Sequence, residues 1–202
     1  MDKEEYLKLL SNVGMSEYFY KDGTLNCMDD SRIYMILDHN PLLDEDEFRK
    51  ISERLNYNFK EIPYLKPPAL DPNTYLDLSV GDMKWIGIKK NADKFPIFVF
   101  LKDEEDSLMG FTSEENDEEA LLKRRNIKGN NARTYYNSDI IGKIMNFLLK
   151  FNENNVSLSF KDDYPLLMTT KRFSVFLAPK IVSVLVKSFM VDDDNISYEC
   201  DE

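Results

Sequence analysis

The sequence has few of the residues from which metal sites and disulfide frameworks are built. Its 202 residues include two cysteines, Cys27 and Cys200, and one histidine, His39. These numbers exclude a zinc–thiolate cluster, a framework of disulfides and a multi-histidine metal site. The seven glycines are scattered and form no phosphate-binding loop. No set of acid, base and nucleophile emerges either, so we expect no cofactor, no metal and no enzymatic activity.

Long apolar runs are also lacking. The longest lie near residues 97–101 and 181–186, far short of the roughly 18–20 residues that cross a bilayer. The N-terminus, Met1-Asp-Lys-Glu-Glu5, has no basic start followed by an apolar stretch, so no secretory signal is visible. We expect an intracellular protein that is neither secreted nor membrane-bound.

Positive charge is in deficit as well. Lys and Arg number 26 against 37 Asp and Glu, which gives a formal net charge of −11. This balance excludes a nucleic-acid-binding surface that covers the whole molecule, but it leaves room for a local basic face on an acidic body. The acidic runs at residues 103–106 and 114–119 lack the glycine of a calcium loop, and we interpret them as solvated loops.

The order of helix and strand patterns occurs twice along the chain. Helices are predicted over residues 2–13, 44–55, 80–91 and 138–151 from the spacing of apolar residues and from capping residues. Between the second and third helices, residues 62–72 hold four prolines, which exclude a helix or a central strand and predict an extended connector. Strands are predicted between the helices of each half. The pattern predicts an α+β pseudo-repeat of antiparallel sheets with two helices per lobe.

Two parts of the sequence resemble DNA sliding clamps of the proliferating cell nuclear antigen (PCNA) family. Near the C-terminus these are Val156-Ser-Leu-Ser-Phe160, Asp163-Tyr-Pro-Leu-Leu167 and Phe173-Ser-Val-Phe-Leu-Ala-Pro-Lys-Ile181, which follow a helix, Lys143 to Lys150, similar to the last inner helix of these clamps. Near the start, Gly23-Thr-Leu-Asn-Cys-Met-Asp-Asp-Ser-Arg-Ile33 resembles the motif of the first clamp domain. The two matches occur in the order that the family shows.

The resemblance implies a division of the chain into four parts. These are a reduced N-terminal clamp-like domain (residues 1–61), an interdomain connector (62–74), a C-terminal clamp-like domain (75–181) and an acidic extension (182–202). Family members have a further set of strands before the connector, and one edge strand of that set pairs with the next subunit to close a trimeric ring. This chain has almost nothing there, which argues against a homotrimer.

The resemblance also implies a function. A clamp of this kind is a processivity factor that tethers DNA polymerase and other replication and repair proteins to duplex DNA, in the nucleus or wherever DNA is replicated. Its inner helices meet the phosphate backbone without reading sequence. The candidate DNA-binding residues here are Lys143, Lys150, Lys84, Lys89, Lys90, Lys8 and Lys50.

In the family, clamp-binding proteins insert apolar anchors into a groove under the connector. The matching positions in this sequence are Met28, Ile33, Leu65, Leu70, Pro165, Ala178, Pro179 and Ile181. Without the resemblance, these residues are better explained as core and loop packing, and the lysines as the solvated faces of amphipathic helices.

Two other functional interpretations remain open. The first is a clamp-like interaction protein that forms no ring and binds or sequesters clamp clients or another clamp subunit; the missing strands favour it. The second is an unrelated α+β enzyme, for which the sequence offers no constellation of catalytic residues.

Overall fold

A computed structural model describes residues 1–113, 120–162 and 164–181. The acidic loop predicted at 114–119 and the acidic extension predicted at 182–202 lie outside the described residues. Within the described ranges, no helix is long and apolar enough to cross a membrane.

The first lobe consists of a helix, three strands, a second helix and a very short fourth strand. Asp2 and Asp44 cap the two helices through side chains that accept backbone N–H groups of the first turn. Asp22 and Gly23 turn the first two strands into a hairpin, and both have the positive φ that such a tight turn needs. The elements are α1 (Lys3–Asn12), β1 (Glu17–Lys21), β2 (Thr24–Met28), β3 (Tyr34–Asp38), α2 (Glu45–Arg54) and β4 (Lys60–Glu61).

Residues 62–73 contain no helix or strand, and the second lobe follows them. Its order again places strands between helices, as the sequence predicts. The elements are β5 (Thr74–Ser79), α3 (Val80–Ile86), α4 (Lys89–Lys94), β6 (Ile97–Lys102), β7 (Ser107–Thr112), β8 (Ala120–Arg124), β9 (Lys128–Gly129), β10 (Ala132–Asn137), α5 (Ser138–Lys150), β11 (Asn155–Phe160), β12 (Leu166–Thr169) and β13 (Phe173–Leu177).

The helix predicted over residues 80–91 is divided, so that the second lobe has three helices where two were expected. The break falls after Gly87, where Ile88 has an extended backbone (φ −70°, ψ 109°). The amide of Asn146 on α5 donates a 2.9 Å hydrogen bond to the carbonyl of Gly87, and a Cβ at position 87 would collide with that same amide group. The Asn146 amide therefore occupies the space beside Gly87 and binds the carbonyl group at which α3 ends.

The strands form two sheets, and one of them spans both lobes. The larger sheet has nine strands in the order β4-β1-β2-β3-β13-β12-β11-β5-β9, and the smaller has four in the order β10-β6-β7-β8. Every described pair except β1–β4 is antiparallel, which confirms the predicted fold class. The lobes join where β3 of the first pairs with β13 of the second.

The main core lies between the helices and one face of the nine-stranded sheet. Because side chains alternate along a strand, Tyr18 and Tyr20 of β1 face the helices, while Phe19 points to the opposite, outer face. The two sheets meet in the second lobe, where the rings of Phe100 and Phe160 stack with centroids 5.1 Å apart. The helices are therefore on one side of the nine-stranded sheet, and the other side is free for the connector.

A buried ion pair stabilises the junction between the lobes. Asp38, at the end of β3, is 1% exposed, and Arg172, in the turn before β13, is 18% exposed. Nε and Nη2 of Arg172 donate to the two carboxylate oxygens of Asp38 at 2.9 and 2.7 Å, and the Tyr6 hydroxyl of α1 donates to the same carboxylate at 2.6 Å.

These contacts hold the groups in defined protonation states. Burial alone would lower the pKa of Arg172, but the hydrogen bonds and charge of Asp38 outweigh it and raise that pKa. Burial and the Asp38 carboxylate raise the pKa of the Tyr6 hydroxyl. Arg172 thus remains charged and Tyr6 remains a donor, so Asp38 has both of its partners.

Replacing Asp38 is expected to weaken the whole fold. Asp38→Ala leaves the half-buried guanidinium of Arg172 without its carboxylate, and breaking such a pair costs about 3–5 kcal/mol. The matched control is Asp46→Ala, which removes an exposed pair with Arg49 and is expected to cost less than about 1 kcal/mol. Denaturant unfolding measures both free energies, and equal losses for the two variants would contradict a joining role for Asp38.

Candidate functional site

All seven candidate DNA-binding lysines are exposed. Lys143 and Lys150 line the same groove, of about 170 Å³, between α1 and α5, so the seven-residue spacing does place them on one side of the helix. Asn146 and Phe147 lie between them in this groove, and Leu9 closes it from α1. The two lysines therefore present their charges on the same surface.

A second groove, of about 210 Å³, brings α4 to the same surface. Lys89 of α4 and Lys143 of α5 both line it. The end of α3, just before α4, approaches α5 closely at Gly142, where a Cβ would lie 3.2 Å from the carbonyl oxygen of Ile86. Lys143 is held by Asp139 one turn earlier, with Nζ 2.6 Å from Oδ2. Lys89, Lys143 and Lys150 thus follow one another across α4 and α5.

The cations of the first lobe have a different environment, because α1 and α2 carry more carboxylates than cations. Lys3 pairs with Glu47 across the two helices, and Arg54 pairs with Glu4 at 2.6 Å. Lys8 and Lys50 each follow two acidic residues one turn earlier in the chain. The excess of cations over carboxylates is therefore on α3–α5, even with the Lys143–Asp139 pair counted. We call Lys84, Lys89, Lys90, Lys143 and Lys150 the basic helix face.

The start of α3, which carries Lys84, is fixed by a second ion pair. Asp82 forms a capping box with Ser79 and accepts a 2.8 Å hydrogen bond from Nε of Arg125. Burial alone would raise the pKa of Asp82, but the hydrogen bonds from Arg125 and Ser79 lower it. Asp82 is therefore a carboxylate near neutral pH, and α3 is tied to the strand end beyond β8.

An apolar cluster occupies the outer face of the nine-stranded sheet, opposite the helices. We call it the outer patch: Phe19, Met28, Met35, Leu37 and Ile62, with Leu65 and Phe176 packed against them. The ring of Tyr64 packs edge-on against Phe19 at 5.5 Å, and Nζ of Lys21 lies 3.5 Å from the centroid of the Tyr64 ring. The first residues of the connector therefore lie directly on the outer patch.

The structure brings together some of the candidate groove residues. Met28 and Leu65 belong to the outer patch. Ile33 and Ala178 are neighbours, since the backbone N–H of Ala178 donates to the Ile33 carbonyl at 2.8 Å. Leu70, Pro165 and Pro179 are half-buried, while Ile33 is 42% and Ile181 is 94% exposed. A single groove that includes all eight residues stays a prediction.

Several members of the outer patch were missed in the sequence. Phe19, Met35, Leu37 and Phe176 were not recognised as site residues, although a signal was present. The run Tyr34-Met-Ile-Leu37 is apolar at every position, which is typical of a strand covered on both faces. Such a run shows that something packs on the outer face but does not show what it is.

The remaining polar clusters offer no metal site. Among the residues that the structure describes, no three of His, Cys, Asp and Glu converge as metal ligands. The Nε2 atom of His39 lies 2.9 Å from the Ser174 hydroxyl, and His39 borders an open cavity of about 560 Å³ beside the β1–β2 turn. Cys27 is buried, and burial raises the pKa of its thiol.

The free edges of the sheets differ between the lobes. The first-lobe edge of the large sheet is β4, which has two residues and runs parallel to β1. The smaller sheet ends in β8, a five-residue antiparallel strand. The second lobe therefore offers a regular edge, and the first lobe offers two residues.

The fold and the sequence can now be compared with those of known proteins. No family model matches the sequence, and no curated protein matches it either. Among solved structures, the chain is similar to PCNA from Entamoeba histolytica (TM-score 0.61, 15% identity, covering 89% of this chain and 94% of that one). It is also similar to the PCNA2–PCNA3 complex from Sulfolobus tokodaii (0.58, 11%, 87% and 94%) and to A. fulgidus PCNA bound to the C-terminal region of FEN-1 (0.58, 13%, 90% and 97%). These similarities show a PCNA-like clamp fold, as the sequence predicts.

Proposed function

We propose that this protein is a clamp-like scaffold without enzymatic activity, which tethers DNA polymerase and other replication and repair proteins to duplex DNA. One observation carries the proposal: the basic helix face and the outer patch lie on opposite sides of one sheet. Two partners can therefore bind at the same time without competing for the same surface. A tethered partner gains effective concentration near the DNA and needs no new contact to it.

The DNA contact in this proposal is made by the basic helix face. Its lysines lie on three neighbouring helices and are exposed, and phosphate contacts from such positions carry no sequence information. The acidic remainder of a chain with net charge −11 repels DNA elsewhere. Binding is thus expected to be weak, independent of sequence and dependent on salt.

Removing two charges from α5 tests this surface. Lys143→Gln with Lys150→Gln is expected to weaken duplex binding and to reduce the slope of log affinity against log salt by about 1.8, since each phosphate contact contributes about 0.9. The matched control is Lys8→Gln with Lys50→Gln, which removes the same charge from the acidic first-lobe helices and is expected to leave the slope nearly unchanged. Fluorescence anisotropy over a salt series gives both slopes. A slope that is the same in the parent and both variants would exclude the basic helix face.

The partner contact is made by the exposed apolar residues beside the connector. Ile33 and Ile181 are exposed, the backbone of Ala178 is hydrogen-bonded to that of Ile33, and Met28 belongs to the buried outer patch. The A. fulgidus PCNA to which the chain is similar was solved with the C-terminal region of FEN-1 bound. We infer that a short peptide with an aliphatic residue followed by two aromatics binds here with a dissociation constant in the micromolar range.

The peptide site can be tested against a control residue whose exposure is close to that of Ile33. Ile33→Ala with Ile181→Ala is expected to weaken peptide binding at least tenfold, because anchor residues contribute more than about 1 kcal/mol each and about 1.4 kcal/mol is a factor of ten. Ile88→Ala is the control, since Ile88 is 41% exposed but follows α3 on the helix side. Calorimetry with one labelled client peptide compares the three proteins; equal affinities would place the peptide elsewhere.

The edges of the sheets favour a second candidate function, that of a clamp-like protein that forms no ring. A ring of identical head-to-tail contacts needs two complementary edges on each copy. The second lobe has β8, but the first lobe ends in the two residues of β4. Such a chain binds clamp clients, or one edge of another clamp subunit, and withholds them from a ring.

The molar mass in solution separates the two candidates. Light scattering of the purified chain is expected to give the mass of one 23.7 kDa copy at micromolar concentration, because the first lobe lacks a full edge strand. A mass of three copies would support a closed ring and contradict the second candidate.

A further inference from the structure

The outer face of the four-stranded sheet is apolar and buried. Val99, Leu101, Leu108 and Leu122 form a cluster there and are between 0 and 8% exposed. We call these four residues the second-lobe cluster. The opposite face of the same strands carries Phe98, Phe100 and Phe111 of the main core. An antiparallel sheet with one solvated face normally alternates apolar and polar residues, so both faces of this sheet are covered.

No hydrophobic residue from another layer of the described chain packs against this cluster. The partly buried hydrophobic residues that pack against the second-lobe cluster are Ala120 and Tyr135, and both belong to the same sheet. Side chains on one face of a sheet stand beside one another, and a further layer of chain is needed to exclude water from them. Thr112, which shares this face by strand alternation, has a buried hydroxyl without a hydrogen-bond partner in the described part of the chain.

The described chain ends at the border of this face. The backbone N–H of Lys180 donates a 2.7 Å hydrogen bond to the carbonyl of Tyr135. Tyr135 lies on β10, which is the edge strand of the four-stranded sheet. The segment that follows Ile181 therefore starts beside the second-lobe cluster.

Composition identifies the covering segment. Residues 114–119 are Glu-Glu-Asn-Asp-Glu-Glu and have no apolar side chain, whereas residues 182–191 are Val-Ser-Val-Leu-Val-Lys-Ser-Phe-Met-Val. From β10 to β8 is three strand spacings, about 14 Å, and ten extended residues reach about 33 Å. We propose that residues 182–191 lie across the second-lobe cluster and close the outer face of the second lobe.

This inference goes beyond the proposed function and does not depend on it. The residues that resemble clamps end at Ile181, so the covering segment is an addition to the clamp-like fold. Because the protein's own chain covers the second-lobe cluster, partners bind at the surface beside the connector and not at this cluster. Three aspartates, residues 192–194, follow the apolar run in the sequence.

Photo-crosslinking in the full chain tests the proposal. The benzophenone amino acid p-benzoylphenylalanine is placed at Leu122, at the border of the cluster, and in a matched control at the exposed Ile88. Irradiation of the Leu122 form is expected to link it to a peptide from residues 182–191 of the same chain, at monomer mass, and the Ile88 form is expected not to do so. A link to a second copy, a link only to other segments, or no link would overturn the proposal.

A second measurement needs no unnatural residue. Val184→Asp with Val186→Asp places charge in the segment and is expected to lower the thermal unfolding midpoint by several degrees and to increase binding of an apolar dye. Ile196→Asp, beyond the acidic run, is expected to change neither. Equal midpoints and equal dye binding for the parent and both variants would show that residues 182–191 do not cover the cluster.

Discussion

The fold depends on the pairing of β3 with β13, which converts two lobes into one continuous sheet. Neither lobe completes this sheet alone: the first contributes four strands and the second contributes five. We call the β3–β13 pair the seam. Asp38 and Arg172 lie at its end, and the Tyr6 hydroxyl of α1 donates a hydrogen bond to the Asp38 carboxylate. Because an unpaired buried charge is costly, these contacts oppose separation of the lobes and keep the helices on one side.

The seam also determines where partners can bind. With the helices on one face, the opposite face carries the outer patch, to which the connector contributes Ile62 and Leu65. The lysines lie on the opposite side, chiefly on the second lobe. The two lobes therefore differ in charge as well as in size, because the carboxylates of α1 and α2 pair with three of the five cations on those two helices.

The reduced first lobe has consequences for assembly and for coverage. It leaves a two-residue strand at one end of the large sheet, while the second lobe retains a full edge. On the outer side of the second lobe, the second-lobe cluster is buried, and no hydrophobic residue from another layer of the described chain packs against it. Both features concern surfaces that a clamp-like fold presents to other chains.

By itself, the sequence determined the fold class, the repeated order of helix and strands, the extended connector and the side-by-side placement of Lys143 and Lys150. These follow from local periodicity, proline geometry and a spacing of two helical turns. Tertiary structure alone decided the break at Gly87, the joining of the lobes through Asp38 and Arg172, and the membership of Phe19 and Phe176 in the outer patch. Each of these depends on residues distant in sequence, such as Asn146 of α5 and Gly87, that only the folded chain brings into contact.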